Sequence, residues 1–220
     1  MQESDSLQSQ RSKVRRVPDR GHYDRATVDR ILDAHFLCHI GFVVDGKPFV
    51  IPTLYARDGD YVLIHGATKS RMLMALQQGI ELCFSVTLVD ALVLARSAFH
   101  HSVNYRSIIL YGVPELVSDP AEKLRAMEVL TNGIVPGRYE EVRQPAPNEI
   151  KATSIMRLKI AEGAAKVRDV GVKDDKADYE LDIWAGLIPF SHGTLPPVPD
   201  PAMPEGIPVP PSVLAYAQNE

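Results

Sequence analysis

Apolar positions near the start of the chain recur at helical spacing. Between residues 24 and 34, the sequence DRATVDRILDA places Val28, Ile31 and Leu32 on one face of a helix. This pattern predicts a short amphipathic helix that packs on whatever follows it.

From Phe36 onward the period becomes that of short strands. FLCHIGFVV and KPFVIPTLYAR flank Asp45-Gly46, a dipeptide that favours a two-residue hairpin turn, and YVLIHG follows a second turn at 58–60. ELCFSVTLVDALVLA, SVNYRSIILYGVPELV and ATSIMRLKIAEGAAKV each predict a further strand. Short strands in direct succession predict a meander or barrel rather than βαβ units. The expected class is mainly β, an antiparallel six-stranded Greek-key-like barrel with a few helices.

Two more helices are predicted between the strands. ATKSRMLMALQQGI has helical apolar spacing, with Thr68 or Ser70 as the N-cap. Asp119-Pro120-Ala121-Glu122 opens the other with a capping aspartate and a proline in the first turn.

The chain divides into three parts by composition. Residues 1–20 are polar and charged and predict a flexible N-terminal arm. Residues 21–190 contain the predicted strands and helices and form the expected folded domain. Residues 191–220 contain the proline-rich run LPPVPDPAMPEGIPVPP, which predicts an extended tail without an interior strand or helix.

Composition narrows the classes of function. The formal net charge of −4 argues against a nucleic-acid-binding protein, and no apolar run is long enough to span a bilayer. Cys38 and Cys83 lie inside apolar runs, which favours two buried thiols in the cytoplasm over a disulfide, although a disulfide stays open as an alternative.

The start of the second predicted helix carries an unusual pair of cations. Lys69 and Arg71 lie in its first turn, where the positive end of the helix dipole disfavours them. An anion bound there, most naturally a phosphate, would explain both side chains and the hydroxyls beside them. The alternative is a solvated basic turn without a ligand, and this helix alone does not decide between the two.

A proline interrupts the strand before that helix. Ile51-Pro52-Thr53-Leu54-Tyr55 lacks one ladder donor at Pro52, so the strand lies at an edge or its backbone faces something other than a strand. A flat ring with hydrogen-bonding edges would suit this backbone; a bulged edge strand is the alternative.

The segment ARSAFHHSVNYRS is polar on both faces if residues 98–107 form a strand. Such a strand fits the wall of a ligand groove or a subunit interface. No metal site is expected, because the adjacent His100 and His101 would point to opposite faces. No nucleophile elbow, phosphate-binding loop or dinucleotide fingerprint is present in the sequence.

The combined pattern FLCHIGFVVDGKPFVIPTLYARDGDYVLIHGATKSRMLMAL and ELCFSVTLVDALVLARSAFHHSVNYRSIILYG resembles the FMN-binding split-barrel superfamily related to pyridoxamine 5'-phosphate oxidase. The resemblance covers roughly residues 24–190 and is nearest to the flavin-nucleotide-binding branch that includes nitroimidazole-resistance proteins. It implies a homodimer of split barrels with two FMN molecules in grooves at the interface.

The resemblance also implies roles for particular residues. Pro52, Thr53, Leu54 and Tyr55 would run beside the flavin ring, and Lys69, Ser70 and Arg71 would hold the phosphate. Asn104, Tyr105, Arg106 and Ser107 would line the groove near the interface, and Trp184 would cover the flavin from the partner subunit. Tyr105, Arg106 and Trp184 are also residue types enriched among interface anchors.

The function expected from this resemblance is an FMN-dependent oxidoreductase that acts on a small molecule, such as a nitroaromatic or a quinone-like acceptor, with NAD(P)H as a possible donor. No catalytic residue is assigned. The basic C-terminal cluster of pyridoxamine phosphate oxidases is missing, since no arginine follows Arg168, which argues against vitamin B6 oxidation. The alternative is a non-catalytic flavin or haem carrier or sensor.

Overall fold

The computed structural model describes residues 6–204 and 206–218. The strands are β1 (Gly21–His22), β2 (Leu37–Val44), β3 (Lys47–Asp58), β4 (Tyr61–Ala67), β5 (Leu82–Leu94), β6 (Ser102–Gly112), β7 (Glu115–Leu116), β8 (Thr153–Lys159), β9 (Gly163–Arg168) and β10 (Gly186–Pro189). The helices are α1 (Arg25–Asp33), α2 (Arg71–Gln77), α3 (Pro120–Ile134), α4 (Pro147–Ala152) and α5 (Pro211–Ala217). Short 3-10 turns occur at Pro18–Arg20, Ala98–His100, Tyr139–Glu141 and Lys176–Glu180.

All ten described strands join one antiparallel sheet in the order β1-β9-β6-β5-β2-β3-β4-β8-β7, with β10 added on β5. This confirms the mainly β, antiparallel class. The expected number of six strands was too low. One reason is that residues 152–167, predicted as a single strand, contribute to both β8 and β9, which are separated by a turn.

Local signals place the turns and helix starts as predicted. Asp45 and Gly46 have φ of 50° and 73°, the left-handed values that a two-residue hairpin turn requires. Asp24 accepts a hydrogen bond from the backbone of Thr27 and caps α1, and Asp119 caps α3 in the same way.

Two apolar clusters hold the elements together. The larger fills the space between the inner face of the sheet and the helices α1 and α2, with Ile40, Phe84 and Leu110 fully buried. The smaller lies under α3 and includes Ala56, Leu63 and Leu130. Helix α3 comes so close to β3 that a Cβ on Gly133 would lie 2.6 Å from Cβ of Ala56. The second cluster therefore fixes α3 against the strands that carry the predicted ligand groove.

The predicted flexible arm requires a correction for residues 6–20, while its first five residues lie outside the described ones. Leu7 is buried, and its backbone bonds to Tyr23 and Gly163. Arg11 donates to Glu81 at 2.8 Å and to Glu162 at 2.6 Å. The polar composition suggested solvent exposure, but Arg11 pairs with two carboxylates of the folded domain and Leu7 packs in its core.

The proline-rich tail also differs from the prediction, because it ends in the helix α5. Pro211 occupies the first turn, where the fixed φ of proline suits a helix. Ser212 is buried, and both its backbone N–H and its hydroxyl donate to Glu141. Residues 205, 219 and 220 of this tail lie outside the described residues.

Candidate functional site

A gap opens in the sheet where β3 and β4 separate. The two strands pair only from Tyr55↔Ile64 to Asp58↔Tyr61, although β3 continues back to Lys47 and β4 continues on to Ala67. In the same register, Leu54 would face His65 and Pro52 would face Ala67. Residues 47–54 of β3 are therefore paired to β2 alone, and their other edge borders the gap.

The alternation of backbone groups decides what faces this gap. The N–H of Tyr55 donates to Phe36, on the β2 side of the strand. Neighbouring residues in an antiparallel strand direct their backbone groups to opposite sides, so Pro52 and Leu54 direct theirs into the gap. The missing N–H of Pro52 therefore removes no hydrogen bond between β3 and a neighbouring strand. The N–H of Leu54 and the carbonyls of Pro52 and Leu54 can form hydrogen bonds to a planar ligand. The interpretation of this strand as one whose backbone faces something other than a strand fits this geometry.

A pocket of about 510 Å³ lies at the point where the β3–β4 ladder stops. Leu54 and His65 form its floor at the strand ends, and the C-terminal half of α3 with the following loop forms its walls. The apolar part of the wall consists of Met127, Leu130, Ile134 and Val142. Its size and mostly apolar lining are typical of a small-molecule site.

Two polar atoms in this pocket are buried without a partner. His65 Nδ1 and the Tyr139 hydroxyl make no hydrogen bond to any described residue. Burial lowers the pKa of His65, which keeps the imidazole neutral, and burial together with Glu128 and Glu140 raises the pKa of Tyr139. A neutral imidazole and a phenol are available to a ligand as hydrogen-bonding groups or, for the imidazole, as a metal ligand.

The start of α2 lies beside the same edge of β3. Ser70 occupies the N-cap position but makes no side-chain cap bond. The guanidinium of Arg71 lies 5.5 Å from the ring centroid of Phe49 on β3, which brings the cation to the gap. Neither Lys69 nor Arg71 forms an ion pair with any described residue, and both side chains are exposed. The start of α2 and the free edge of β3 are therefore neighbours in the fold, and their role in binding a cofactor stays a prediction.

The side chain of Tyr55 lies in the core rather than at the gap, while the predicted place of its strand beside the flavin ring stays a prediction. The Tyr55 ring is 1% exposed, packs edge-on against Phe84 at 5.0 Å, and its hydroxyl donates to the carbonyl of Leu32 at 2.7 Å. The strand alternation that points the backbone of Leu54 into the gap turns the Tyr55 side chain into the core.

Residues 98–107 do not form one strand, whereas the strand predicted from SVNYRSIILYGVPELV begins at Ser102 as expected. Residues 98–100 form a 3-10 turn, and β6 begins at Ser102. The side chain of Asn104 is buried, accepts a hydrogen bond from Arg168 and donates one to the carbonyl of Val170. The amide of Asn104 therefore links the end of β9 to β6 by hydrogen bonds. The role of Asn104 in cofactor binding stays a prediction.

The rest of the NYRS group also bonds within its own chain. Arg106 donates to both oxygens of Asp90 at 2.8 to 3.2 Å, and the Ser107 hydroxyl donates to the carbonyl of Lys166. Tyr105 keeps a partly exposed side chain. In sheet order, β2 and β5 separate β6 from β3, and the hydrogen bonds of these residues run to neighbours on β5 and β9 rather than to the gap.

Trp184 lies in the segment before β10, with 67% of its surface exposed. Its indole packs on the backbone of Gly186, whose Cβ position would lie 2.8 Å from the ring. Strand β10 attaches this segment to β5 at Ala91–Leu94. Nothing in the described chain places Trp184 at the gap of its own subunit.

Sequence reasoning missed His65, Tyr139 and the α3 wall of the pocket. His65 carries no local signal that separates it from a structural histidine, and the apolar spacing of the α3 residues is that of ordinary core positions. Their common property is that they meet around the end of the β3–β4 ladder, which no local pattern records. Among the described residues, His100, Asp175 and Asp178 are the one group whose possible metal-ligating atoms lie within 4.8 Å of one another.

None of the described helices has the length and apolar character needed to cross a bilayer. No curated protein matches the chain at a significant level. Two solved structures resemble it over nearly their whole length. One is the flavocytochrome Anf3 from Azotobacter vinelandii, with 41% identity, a TM-score of 0.89, and coverage of 94% of this chain and 97% of that one. The other is an FAD and haem binding protein from Mycobacterium smegmatis, with 33% identity, a TM-score of 0.87, and coverage of 90% and 97%.

A more distant structure, from Bacteroides thetaiotaomicron and assigned to 5-nitroimidazole antibiotic resistance, shares the fold alone. It has 18% identity and a TM-score of 0.58, and the match covers 67% of this chain and 86% of that one. The family model described as pyridoxamine 5'-phosphate oxidase matches residues 24–167. The chain therefore belongs to the pyridoxamine 5'-phosphate oxidase family of split-barrel proteins.

Proposed function

We propose that this protein binds a flavin nucleotide in the gap between β3 and β4. The observation that carries the proposal is that the free edge of β3 ends beside two cations that have no acidic partner among the described residues. The backbone at Pro52 and Leu54 would bond the polar edge of the flavin ring. Lys69, Arg71 and the Ser70 hydroxyl would bind its phosphate, which compensates the unfavourable position of the cations at the helix start.

The flavin is either FMN, as the sequence resemblance predicts, or FAD. Both carry a phosphate on the ribityl chain, so the Lys69–Arg71 site serves either one. The relative that is 33% identical is described as binding FAD, which favours FAD for this chain.

The purified protein tests this directly. We expect it to be yellow or to take up flavin stoichiometrically, and mass spectrometry of the supernatant after denaturation identifies the nucleotide. Protein that neither carries flavin nor binds added FMN or FAD would refute the proposal.

The activity we propose is electron or hydride transfer to a small molecule. The flavin, when bound, supplies the redox chemistry, and the protein orients the substrate and sets the polarity around it. The pocket of about 510 Å³ opens from the gap and offers His65 and Tyr139 to a planar, moderately polar acceptor, which suits a quinone-like or nitroaromatic compound. Bleaching of the flavin band by NADH or NADPH, followed by reoxidation with such an acceptor, is the expected result. A flavin that neither donor reduces would favour a carrier or sensor.

We also propose a homodimer in the cytoplasm. Val50 on β3 and Met74 on α2 flank the gap with 67% and 53% of their surfaces exposed, which favours a second subunit over bulk water there. Tyr105 and Trp184 would then face the partner's flavin. The thiols of Cys38 and Cys83 are free, which suits a reducing compartment.

A second candidate function is a flavin- and haem-binding electron-transfer protein. The two relatives that match at least 90% of this chain are described as a flavocytochrome and as an FAD and haem binding protein. His65 fits a haem ligand, because its buried Nδ1 has no partner and its lowered pKa keeps the lone pair free. A Soret band in the purified or haem-reconstituted protein, lost in His65→Ala, would support this function. Protein that binds flavin but no haem would exclude it.

A further inference from the structure

A second cavity, of about 320 Å³, lies at the end of β9, away from the gap in sheet order. Its lining includes three cationic side chains, Arg20, Arg168 and Lys173. They come from three different parts of the chain, the 3-10 turn before β1, the end of β9 and the loop after it. The polar run at 98–102 supplies the opposite wall.

Arg168 is buried, with 6% of its surface exposed, and only neutral partners hold it. One of its terminal nitrogens donates to Asn104 Oδ1 at 2.5 Å and to the carbonyl of Val103 at 3.4 Å. Its Nε is buried and has no hydrogen-bond partner among the residues that the structure describes. A buried guanidinium without a counter-charge is unfavourable, and an unpaired buried donor is most simply explained by a group that binds to it.

Two further cations, Arg20 and Lys173, line the same cavity as Arg168 and add to its positive charge. Burial and the nearby positive charge of Arg20 both lower the pKa of Arg168. Neither Arg20 nor Lys173 forms an ion pair with any described residue.

The acidic groups in the cavity wall are already engaged elsewhere. The carboxylate of Asp174 is fully buried, and it accepts from the backbone N–H of Arg96 at 3.1 Å and from the Arg96 side chain at 3.2 Å. Asp175 lies 3.3 Å from Nε2 of His100 and is otherwise directed to solvent. No carboxylate of the described chain therefore neutralises Arg168 or Arg20.

We propose that this cavity binds an oxyanion, a phosphate or carboxylate group of a small molecule, between Arg168 and Arg20 with Lys173 at the rim. The planar donor fork of arginine matches the oxygens of such a group, and the buried position of Arg168 strengthens the contact. The volume also admits the small group that carries the anion. The site is separate from the proposed flavin phosphate site at Lys69–Arg71, and it gives a role to the 98–102 segment that the flavin does not use.

The first experiment does not depend on flavin binding. Inorganic phosphate and pyrophosphate are titrated into the purified full-length protein by calorimetry, in chloride buffers of matched ionic strength. We expect saturable binding of one anion per chain and a melting temperature that rises with anion concentration. Arg20→Ala and Lys173→Ala each weaken this binding about tenfold or more, and both are partly or fully exposed residues whose loss leaves the fold intact. Arg16→Ala, an exposed cation of the same N-terminal segment, binds as the parent does.

A second arm identifies the source of the anion and rests on the proposed function. If Arg20→Ala weakens the binding of FMN or FAD, the oxyanion is the flavin's own phosphate, and a site separate from Lys69–Arg71 is refuted. If both flavins bind normally and phosphate binding falls, the anion belongs to a separate ligand.

The proposal is overturned if neither phosphate nor pyrophosphate saturates the protein. It is also overturned if the anions bind the parent and both variants equally. A shift of Arg20→Ala from dimer to monomer, with no anion bound by the parent, would instead assign the counter-charge to a partner subunit and refute the small-molecule site.

Discussion

The two cations at the start of α2 give the sharpest test of the flavin site. Replacing Lys69 or Arg71 with alanine removes a side chain that is exposed and forms no ion pair with the described residues. Each variant therefore leaves the core and the known polar contacts of the protein unchanged, apart from the contact of Arg71 with Phe49.

The two effects of the change have opposite signs. Without ligand, removing a cation from a helix N-terminus stabilises the protein by about 0.3–1 kcal/mol at low salt. With a phosphate bound, the lost charge-assisted contact costs about 1.5–3 kcal/mol, or roughly 10- to 150-fold in affinity. The contact term is the larger one, so the flavin nucleotide binds less tightly while the ligand-free protein melts at the same or a slightly higher temperature.

Fluorescence titration of ligand-free protein with FMN, FAD and riboflavin measures the difference. Riboflavin has no phosphate, so its affinity is expected to be unchanged in both variants. Lys159→Ala is the matched control, since Lys159 ends β8 six residues from Thr153, which pairs with Ala67 beside the site. At about 3.3 Å per residue this places it roughly 20 Å away.

Equal affinities of the parent for FMN and riboflavin would refute the phosphate site. So would variants that lose riboflavin and FMN to the same extent, because that result would indicate damage to the ring site. A comparable loss in Lys159→Ala would mean that the effect is general electrostatics rather than a contact.

Three further outcomes are expected. Light scattering of the flavin-loaded protein should give twice the mass of one chain, and a single-chain mass with flavin still bound would contradict a shared groove. The free energy of unfolding should fall on acidification below about pH 6.5, because burial lowers the pKa of His65 and the unfolded chain therefore binds a proton more readily than the folded one. His65→Gln should flatten this pH dependence in thermal melts. An unchanged pH profile in that variant would contradict the prediction. Gly133→Ala should lower the free energy of unfolding, since overpacking against Ala56 costs about 1–3 kcal/mol and outweighs a gain of about 1 kcal/mol in helix propensity. Gly171→Ala is the control, because a Cβ at Gly171 would meet no atom within 4 Å. Equal melting temperatures of both variants would count against the close approach of α3 to β3.

Local signals determine the turns and helix starts, because their cause lies in adjacent residues. Asp45-Gly46 adopts left-handed φ because those two residue types tolerate it, and Asp24 and Asp119 cap helices through their own side chains. The position of Pro52 in a strand correctly indicated a backbone edge without a partner strand, since proline removes a donor wherever it occurs. The cations of α2 were visible in the sequence because a positive charge in the first turn of a helix opposes the helix dipole in any tertiary context.

Composition misled where a segment depends on distant partners. Residues 6–20 and the tail look like solvated chain, yet Arg11 binds Glu162 and Ser212 binds Glu141, at separations of 151 and 71 residues. A pairing of this kind leaves no periodicity in either segment, so the sequence alone indicates only that the segment is polar.

What the sequence determined by itself is the antiparallel β class, the turns and the helix starts. Only the tertiary structure decided that the side chain of Tyr55 faces the core and that His65 and Tyr139 line one pocket. It also decided that Asn104 accepts a hydrogen bond from Arg168, 64 residues further along the chain. The reason is physical: turns and caps depend on the φ, ψ and side chains of adjacent residues. Which buried polar group meets which partner depends on strand register and on where the β3–β4 ladder stops.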